Sequence, residues 1–205
     1  VFLHNDLTKE ALADLGWDGA FNYPNCGDNC FADFLGVVEA NLGVNKSNYY
    51  LERKYSLSIN FQENNIKKNL SIAYKNNANA AIGKSGIYQV YTRLMVPPDS
   101  VLESVKVGDS FLSPDVGTVA GRQEIGFYFE LLPGQSKVVN ASWQTTVFDL
   151  SRQGGYLMYI RKQAGTNAEP ISITFNAPEG IALRIEPGYN TLFSGDIYSK
   201  VSWKK

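Results

Sequence analysis

From Asn48 onward the apolar residues recur at every second position, and this alternation constrains the fold more than any other feature of the sequence. Tyr49, Leu51, Tyr55, Leu57, Ile59 and Phe61 alternate with Tyr50, Glu52, Lys54, Ser56, Ser58 and Asn60, with Arg53 the exception on the apolar side. A strand with one face on a core and the other in water reads this way, because successive side chains point to opposite faces. After the turn residues Glu63-Asn64-Asn65, the set Ile66, Lys68, Leu70, Ile72 and Tyr74 repeats the pattern and predicts an antiparallel hairpin. Further strands are predicted at 87–96, 101–107, 124–132, 137–149, 156–163, 171–175, 181–185 and near the C-terminus. Breaks at Pro97-Pro98-Asp99, Pro133-Gly134, Gly154-Gly155, Pro178-Glu179-Gly180 and Pro187-Gly188 separate them. Many short alternating strands with no helix between them predict an antiparallel β-sandwich rather than a parallel α/β sheet. Residues 75–86 carry no period and read as a mobile surface loop.

Before residue 46 the period is helical. Thr8 is placed to cap a short helix through Leu15, with Leu7, Ala11 and Leu15 on one side and Gly16 as its stop. Asp28 is placed to cap a second, in which Phe31, Phe34, Leu35, Val38 and Leu42 fall at i, i+3, i+4, i+7 and i+11 before Gly43. The chain therefore reads as mainly β with a short helical N-terminal segment. Residues 1–45 form that segment, either the end of an upstream domain or an arm whose apolar stripe docks on the sandwich, and residues 46–205 form the sandwich.

Composition removes several functions. The 19 Lys and Arg nearly balance 20 Asp and Glu, leaving a formal charge of −1 and no general attraction for nucleic acid or anionic lipid. His4 is the one histidine, so any triad or multi-histidine metal site needs other residue types. Gly83-Lys84-Ser85 resembles the tail of a phosphate-binding loop, but Ala78 stands where the first glycine belongs and a strand, not a helix, follows. Asp28, Asp33, Glu39, Asp109, Asp115, Glu124 and Glu130 are scattered, and their spacing shows no acid–base pair and no calcium loop. No cofactor, metal or catalytic residue is expected. Three Asn-x-Ser sequons, at Asn45, Asn69 and Asn140, discriminate nothing in so asparagine-rich a chain. Cys26 and Cys30, four residues apart around Gly27, can close a small disulfide loop or remain two buried thiols. The strand aromatics Tyr88, Tyr91, Tyr128, Tyr156 and Tyr159, with Lys84 in the loop, are the candidate interaction surface, and any tyrosine not consumed by the core can stack on sugars or a protein partner.

Three blocks carry a resemblance. Residues Ala13-Asp14-Leu15-Gly16-Trp17-Asp18-Gly19-Ala20, the run from Asp33 to Tyr49, and the run from Gly86 to Leu102, with Gly86-Ile87-Tyr88-Gln89-Val90-Tyr91 at its start and Pro97-Pro98-Asp99-Ser100-Val101-Leu102 at its end, are similar to the C-terminal half of a bacterial envelope family, domain of unknown function four thousand and twelve. The resemblance implies the end of an α/β domain followed by a β-rich region, with the membrane anchor and the upstream half absent from this stretch. The cluster of Arg and Asp that would hold a lipid pyrophosphate is absent too, so no catalytic residue carries over. The cysteine pair is not part of the family pattern. The resemblance also implies a place outside the cytoplasmic membrane, which favours the disulfide. The expected function is a non-enzymatic extracellular module in envelope structure, adhesion or assembly, whose partner is another cell-surface protein, a second copy or an envelope glycan. A fragment of an enzyme handling envelope glycopolymers and a carbohydrate-binding module are the alternatives.

Overall fold

The computed structural model describes residues 4–14, 24–79, 86–146, 154–186 and 190–204. Two seven-stranded sheets pack face to face as a β-sandwich. Sheet I contains β1 (Cys30–Asn41), β4 (Tyr88–Val96), β7 (Asp115–Val119), β8 (Arg122–Leu131), β10 (Gly155–Arg161), β12 (Ala182–Glu186) and β14 (Ile197–Lys204), in the order β12-β14-β10-β1-β4-β8-β7. Sheet II contains β2 (Leu51–Phe61), β3 (Asn65–Asn76), β5 (Ser100–Val107), β6 (Ser110–Phe111), β9 (Ser136–Thr146), β11 (Glu169–Asn176) and β13 (Asn190–Phe193), in the order β13-β11-β2-β3-β9-β5-β6. Most pairings are antiparallel, but β1 runs parallel to β10 and β2 parallel to β11.

The alternation in sequence becomes alternation in burial. Along β2, Leu51, Tyr55, Leu57, Ile59 and Phe61 enter the core while Glu52, Lys54 and Ser56 face water. Leu70, Ile72 and Tyr74 from β3, Val90 and Leu94 from β4, Ile125 and Phe129 from β8, and Trp143 from β9 complete the interior between the layers.

Residues 30–41, expected as the second helix, are strand β1. The five residues from Asp33 to Val37 are buried consecutively, so the middle of this strand is covered on both faces. A strand buried on both sides does not alternate, and its apolar run coincides here with helical spacing. The first helix is real, α1 (Asp6–Asp14), but it starts earlier than expected: the Thr8 backbone N–H donates to Asn5 Oδ1 at 3.2 Å, making Asn5 the cap. Its stripe does not dock, since Leu7 is 77% exposed and Ala11 is exposed too; Leu15 lies outside the described residues.

The chain passes from β1 to β2 through an asparagine-rich crossover ending in a 3-10 turn, Ser47–Tyr50. Asn41 Nδ2 donates to Asn45 O at 2.8 Å, Asn45 Nδ2 to Ile87 O at 2.8 Å, and the fully buried Ser47 donates from Oγ to Asn45 Oδ1 at 2.5 Å. Gly43, expected as a helix C-cap, sits in a tight space instead: a Cβ there would lie 3.0 Å from Asn45 Nδ2, 3.2 Å from Asn41 Oδ1 and 3.3 Å from Ile87 O. The left-handed position is Val44 instead, at φ 51°. The expected loop at 75–86 is tied at both ends, because the buried Asn76 donates from Nδ2 to Gly86 O at 2.9 Å and Leu131 O at 3.1 Å; residues 80–85, with Lys84, lie outside the described residues.

Val44 is 93% exposed, so its side chain gives nothing in return for a backbone region that costs a β-branched residue about 1–2 kcal/mol. Val44→Asn, which tolerates that region, is expected to raise stability by about 1 kcal/mol in urea titrations.

Candidate functional site

The strongest concentrations of charge lie between the sheets. β1 points Asp33, Leu35, Val37 and Glu39 toward sheet II, apolar in the middle and carboxylate at each end. At one end, Arg53 Nη2 lies 2.6 Å from Glu39 Oε2, and Arg53 Nη1 lies 2.8 Å from Glu169 Oε1. Arg53 Nε donates to Glu39 Oε2 at 3.0 Å, Tyr74 Oη to Glu39 Oε1 at 2.6 Å, and Tyr88 Oη to Glu39 Oε2 at 2.8 Å. Burial opposes the guanidinium charge, but the Glu39 carboxylate outweighs it and holds Arg53 above its ordinary pKa. Beyond this point β10 no longer flanks β1, and the Gln163 side chain takes its place: its Nε2 donates to Glu39 O at 3.0 Å while its Oε1 accepts the Glu39 N–H at 2.8 Å.

At the other end, Lys68 Nζ lies 2.7 Å from Asp33 Oδ2, with neither side chain exposed. The ammonium also donates to Thr145 Oγ1 at 2.5 Å, and Tyr156 Oη donates to Asp33 Oδ2 at 2.9 Å. Burial lowers the Lys68 pKa, and Asp33 offsets part of that. Arg53 and Lys68 were visible in the sequence as cations at inward positions; their carboxylate partners on β1, Glu39 and Asp33, were hidden because β1 read as a helix.

The candidate tyrosines do not form one surface. Tyr88 and Tyr156 are core residues, 1% and 0% exposed. Tyr159 is on the outward side of β10 but only 3% exposed, stacked on Tyr198 at 4.7 Å between ring centroids. Tyr91 and Tyr128 sit opposite each other on β4 and β8, on the outer face of sheet I. Tyr91 Oη donates to Asp115 Oδ2 at 3.0 Å, and Tyr128 Oη donates to Glu130. Along β1 the Tyr91 row is at Ala40 and the Tyr159 row at Phe34, about 20 Å apart at strand rise. No shared platform joins them. Cys26 and Cys30 are bonded, closing a small loop immediately before β1.

A groove of about 980 Å³ lies at one end of the outer face of sheet II. Its floor includes Ala73, Val138 and Pro170, and Glu52, Lys54, Asn140 and Asn167 line it as well. A smaller polar pocket of about 170 Å³ lies over Glu39, Arg53 and Tyr88, closed by the 163–167 turn. Among the described residues no group of three or more His, Cys, Asp or Glu is placed to hold a metal ion, and no helix is long and apolar enough to cross a membrane.

No family model and no curated protein matches this sequence. Among solved structures the chain is similar to a candidate nutrient binding protein of Legionella pneumophila, at 10% identity and a TM-score of 0.43 over 86% of this chain and 68% of that one. It is also similar to leukotriene A4 hydrolase of Saccharomyces cerevisiae, at 10% identity and 0.46 over 78% and 30%. An M1 zinc metallopeptidase of Deinococcus radiodurans gives 10% and 0.36 over 76% and 39%. The chain thus spans about two thirds of the first protein and well under half of the other two, and likenesses this loose carry no chemistry across.

Removing one partner of a buried pair strands the other in hydrocarbon. Lys68→Met is expected to cost about 3–5 kcal/mol, and Asp33→Leu/Lys68→Met to recover most of it, read from denaturant midpoints as a double-mutant cycle. High pH provides a separate check. Tyr55, Tyr74, Tyr88 and Tyr156 are all held above the ordinary 10.0, mainly by burial, with Glu39 beside the first three and Asp33 beside the last. Above pH 10 the unfolded tyrosines lose protons that the folded ones keep, so stability falls by about 1.4 kcal/mol per pH unit for each. Lys68, lowered from 10.5, works in the opposite direction below that pH, one group against four. The urea midpoint is expected to drop steeply above pH 10, and Tyr156→Phe to remove one tyrosine's share of the slope.

Proposed function

We propose that this chain is a non-enzymatic binding module of a bacterial cell-surface protein, working outside the cytoplasmic membrane in envelope structure, adhesion or assembly. The observation that carries the reading is where its reactive-looking groups are held. A catalytic acid or base must turn a proton or a lone pair toward substrate. Here Glu39 accepts from Arg53, Tyr74 and Tyr88 together, and Asp33 from Lys68, Tyr156 and the Phe34 N–H. Of the three carboxylates in these clusters, Glu169 keeps one buried oxygen without a hydrogen bond to the described residues. What faces solvent is a sheet face with a groove at its end, of a size suited to holding a ligand. The Cys26–Cys30 bond supports an oxidising compartment. Its partner is an envelope glycan, another surface protein or a second copy of the chain.

Two measurements test this. Incubated with envelope glycopolymers, the protein is expected to be retained on the polymer without releasing product; product release abolished by Glu169→Gln would overturn the reading. Mass spectrometry of protein isolated without reductant is expected to show no free thiol. Cys26→Ser/Cys30→Ser is expected to cost about 2 kcal/mol, the loop-closure value for so short a ring, and two free thiols in the isolated protein would count against an exterior location.

A further inference from the structure

The outer face of sheet II has a composition that solvation alone does not explain. The strand register aligns it in rows. Ser172 on β11, Ser56 on β2, Ser71 on β3 and Asn140 on β9 stand side by side across four strands. The next row is Thr174, Ser58, Asn69 and Ser142, and the one after it Asn176, Asn60, Lys67 and Gln144. Every position except Lys67 is a neutral hydroxyl or amide, and Lys67 is neutralised by Glu103 at 2.6 Å. Asparagine is among the residues that strands disfavour, whereas wet strand faces ordinarily gain solubility from long charged side chains. These three rows forgo both advantages on four adjacent strands.

We propose that this face, with the groove at its end, is the track on which the module binds a neutral, hydroxyl-rich polysaccharide; the proposal rests on the binding-module reading above and adds the surface and the ligand chemistry. Three observations support it. Each hydroxyl and amide both donates and accepts, as each sugar hydroxyl does, and on these four strands the one cation within the three rows, Lys67, is paired with Glu103. Part of the array is already locked: Ser142 Oγ donates to Glu103 Oε2 at 2.8 Å and lies 3.0 Å from the Asn69 amide, and Asn176 Nδ2 donates to Asn60 Oδ1 at 2.9 Å. The row Ser172, Ser56, Ser71 and Asn140 makes no side-chain hydrogen bond to the described residues and is left for a ligand. Strands lie about 4.8 Å apart, close to the length of one sugar ring, so a chain laid across them meets a fresh set of groups at each ring.

The groove continues the track. Asn140 belongs both to the first row and to the groove wall, and the adjoining row is Lys54, Ala73 and Val138, with Pro170 beside it. Ala73, Val138 and Pro170 offer an apolar floor for the C–H face of a sugar, and Asn140 and Asn167 flank it with amides.

The test is a glycan array of neutral and anionic bacterial polysaccharides probed with the intact chain, followed by calorimetric titration of the best-bound oligosaccharide. Binding to at least one neutral polymer is expected. Ser71→Glu and Asn140→Ala, both at solvent-facing positions, are expected to weaken it by roughly tenfold or more, the loss of about one good polar contact. Arg93→Ala, on the outer face of sheet I, is expected to leave it within about twofold, and thermal melts of each variant separate lost binding from lost folding. Retention of anionic polymers alone, no binding by millimolar concentration, or affinity indifferent to both sheet II variants overturns the proposal. Loss in Tyr128→Ala instead moves the sugar to the tyrosines of sheet I; that, too, sinks the track while leaving the binding-module reading intact. Product release sinks that reading itself.

Discussion

Two carboxylates on one face of one strand fix how the layers of this protein meet. Asp33 and Glu39 are six residues apart on β1, so both point inward, and each finds its cation on the opposite sheet. Such pairs add little net stability over well-packed apolar residues, because desolvation consumes most of the attraction. Their consequence is selective. A slip of β1 by two residues would keep the apolar side chains inside but leave both carboxylates without partners in hydrocarbon, so one alignment of the sheets is singled out among those that hydrophobicity tolerates. The tyrosines around them belong to the same device, since Tyr74, Tyr88 and Tyr156 supply the remaining hydrogen bonds while filling the space between the sheets.

How much of this was legible in the sequence depended on whether a strand had a wet side. β2, β3, β4, β9 and β11 alternate in sequence because they alternate in burial, and their positions were readable to within a few residues. β1 was not, since enclosure on both faces erases the alternation and Phe31, Phe34, Leu35, Val38 and Leu42 imitate a helical stripe. β7 was missed for the opposite reason: every residue in it is exposed, so no periodicity marks it. The error on β1 propagated. On a helix Asp33 pairs with Val37 on one side and Leu35 with Glu39 on the other, so the two carboxylates do not share a face, and the β1 partners of Arg53 and Lys68 stayed hidden although both cations stood out at inward positions.

The candidate surface shows a second limit. Tyrosines on strands carry no label for inside or outside beyond their parity, and parity assigns Tyr88 and Tyr156 to the core as firmly as it turns Tyr91 and Tyr128 outward. The serines and asparagines of sheet II were individually visible at wet positions. Their meaning came from register, which places Ser172, Ser56 and Ser71 in line although they are distant in sequence. Linear order does not encode that juxtaposition.

The two parallel pairings have a consequence for how the chain is made. β1 and β2, near the start, each wait for a parallel neighbour, β10 or β11, encoded more than a hundred residues later. Until residues 155–176 are available, each of these central strands has one ladder of N–H and C=O groups unpaired, the kind of edge that recruits other chains. Contacts so distant along the polypeptide also close slowly. The chain is therefore most exposed to mispairing while residues 155–176 are missing or unfolded, and both sheets close only when that stretch docks.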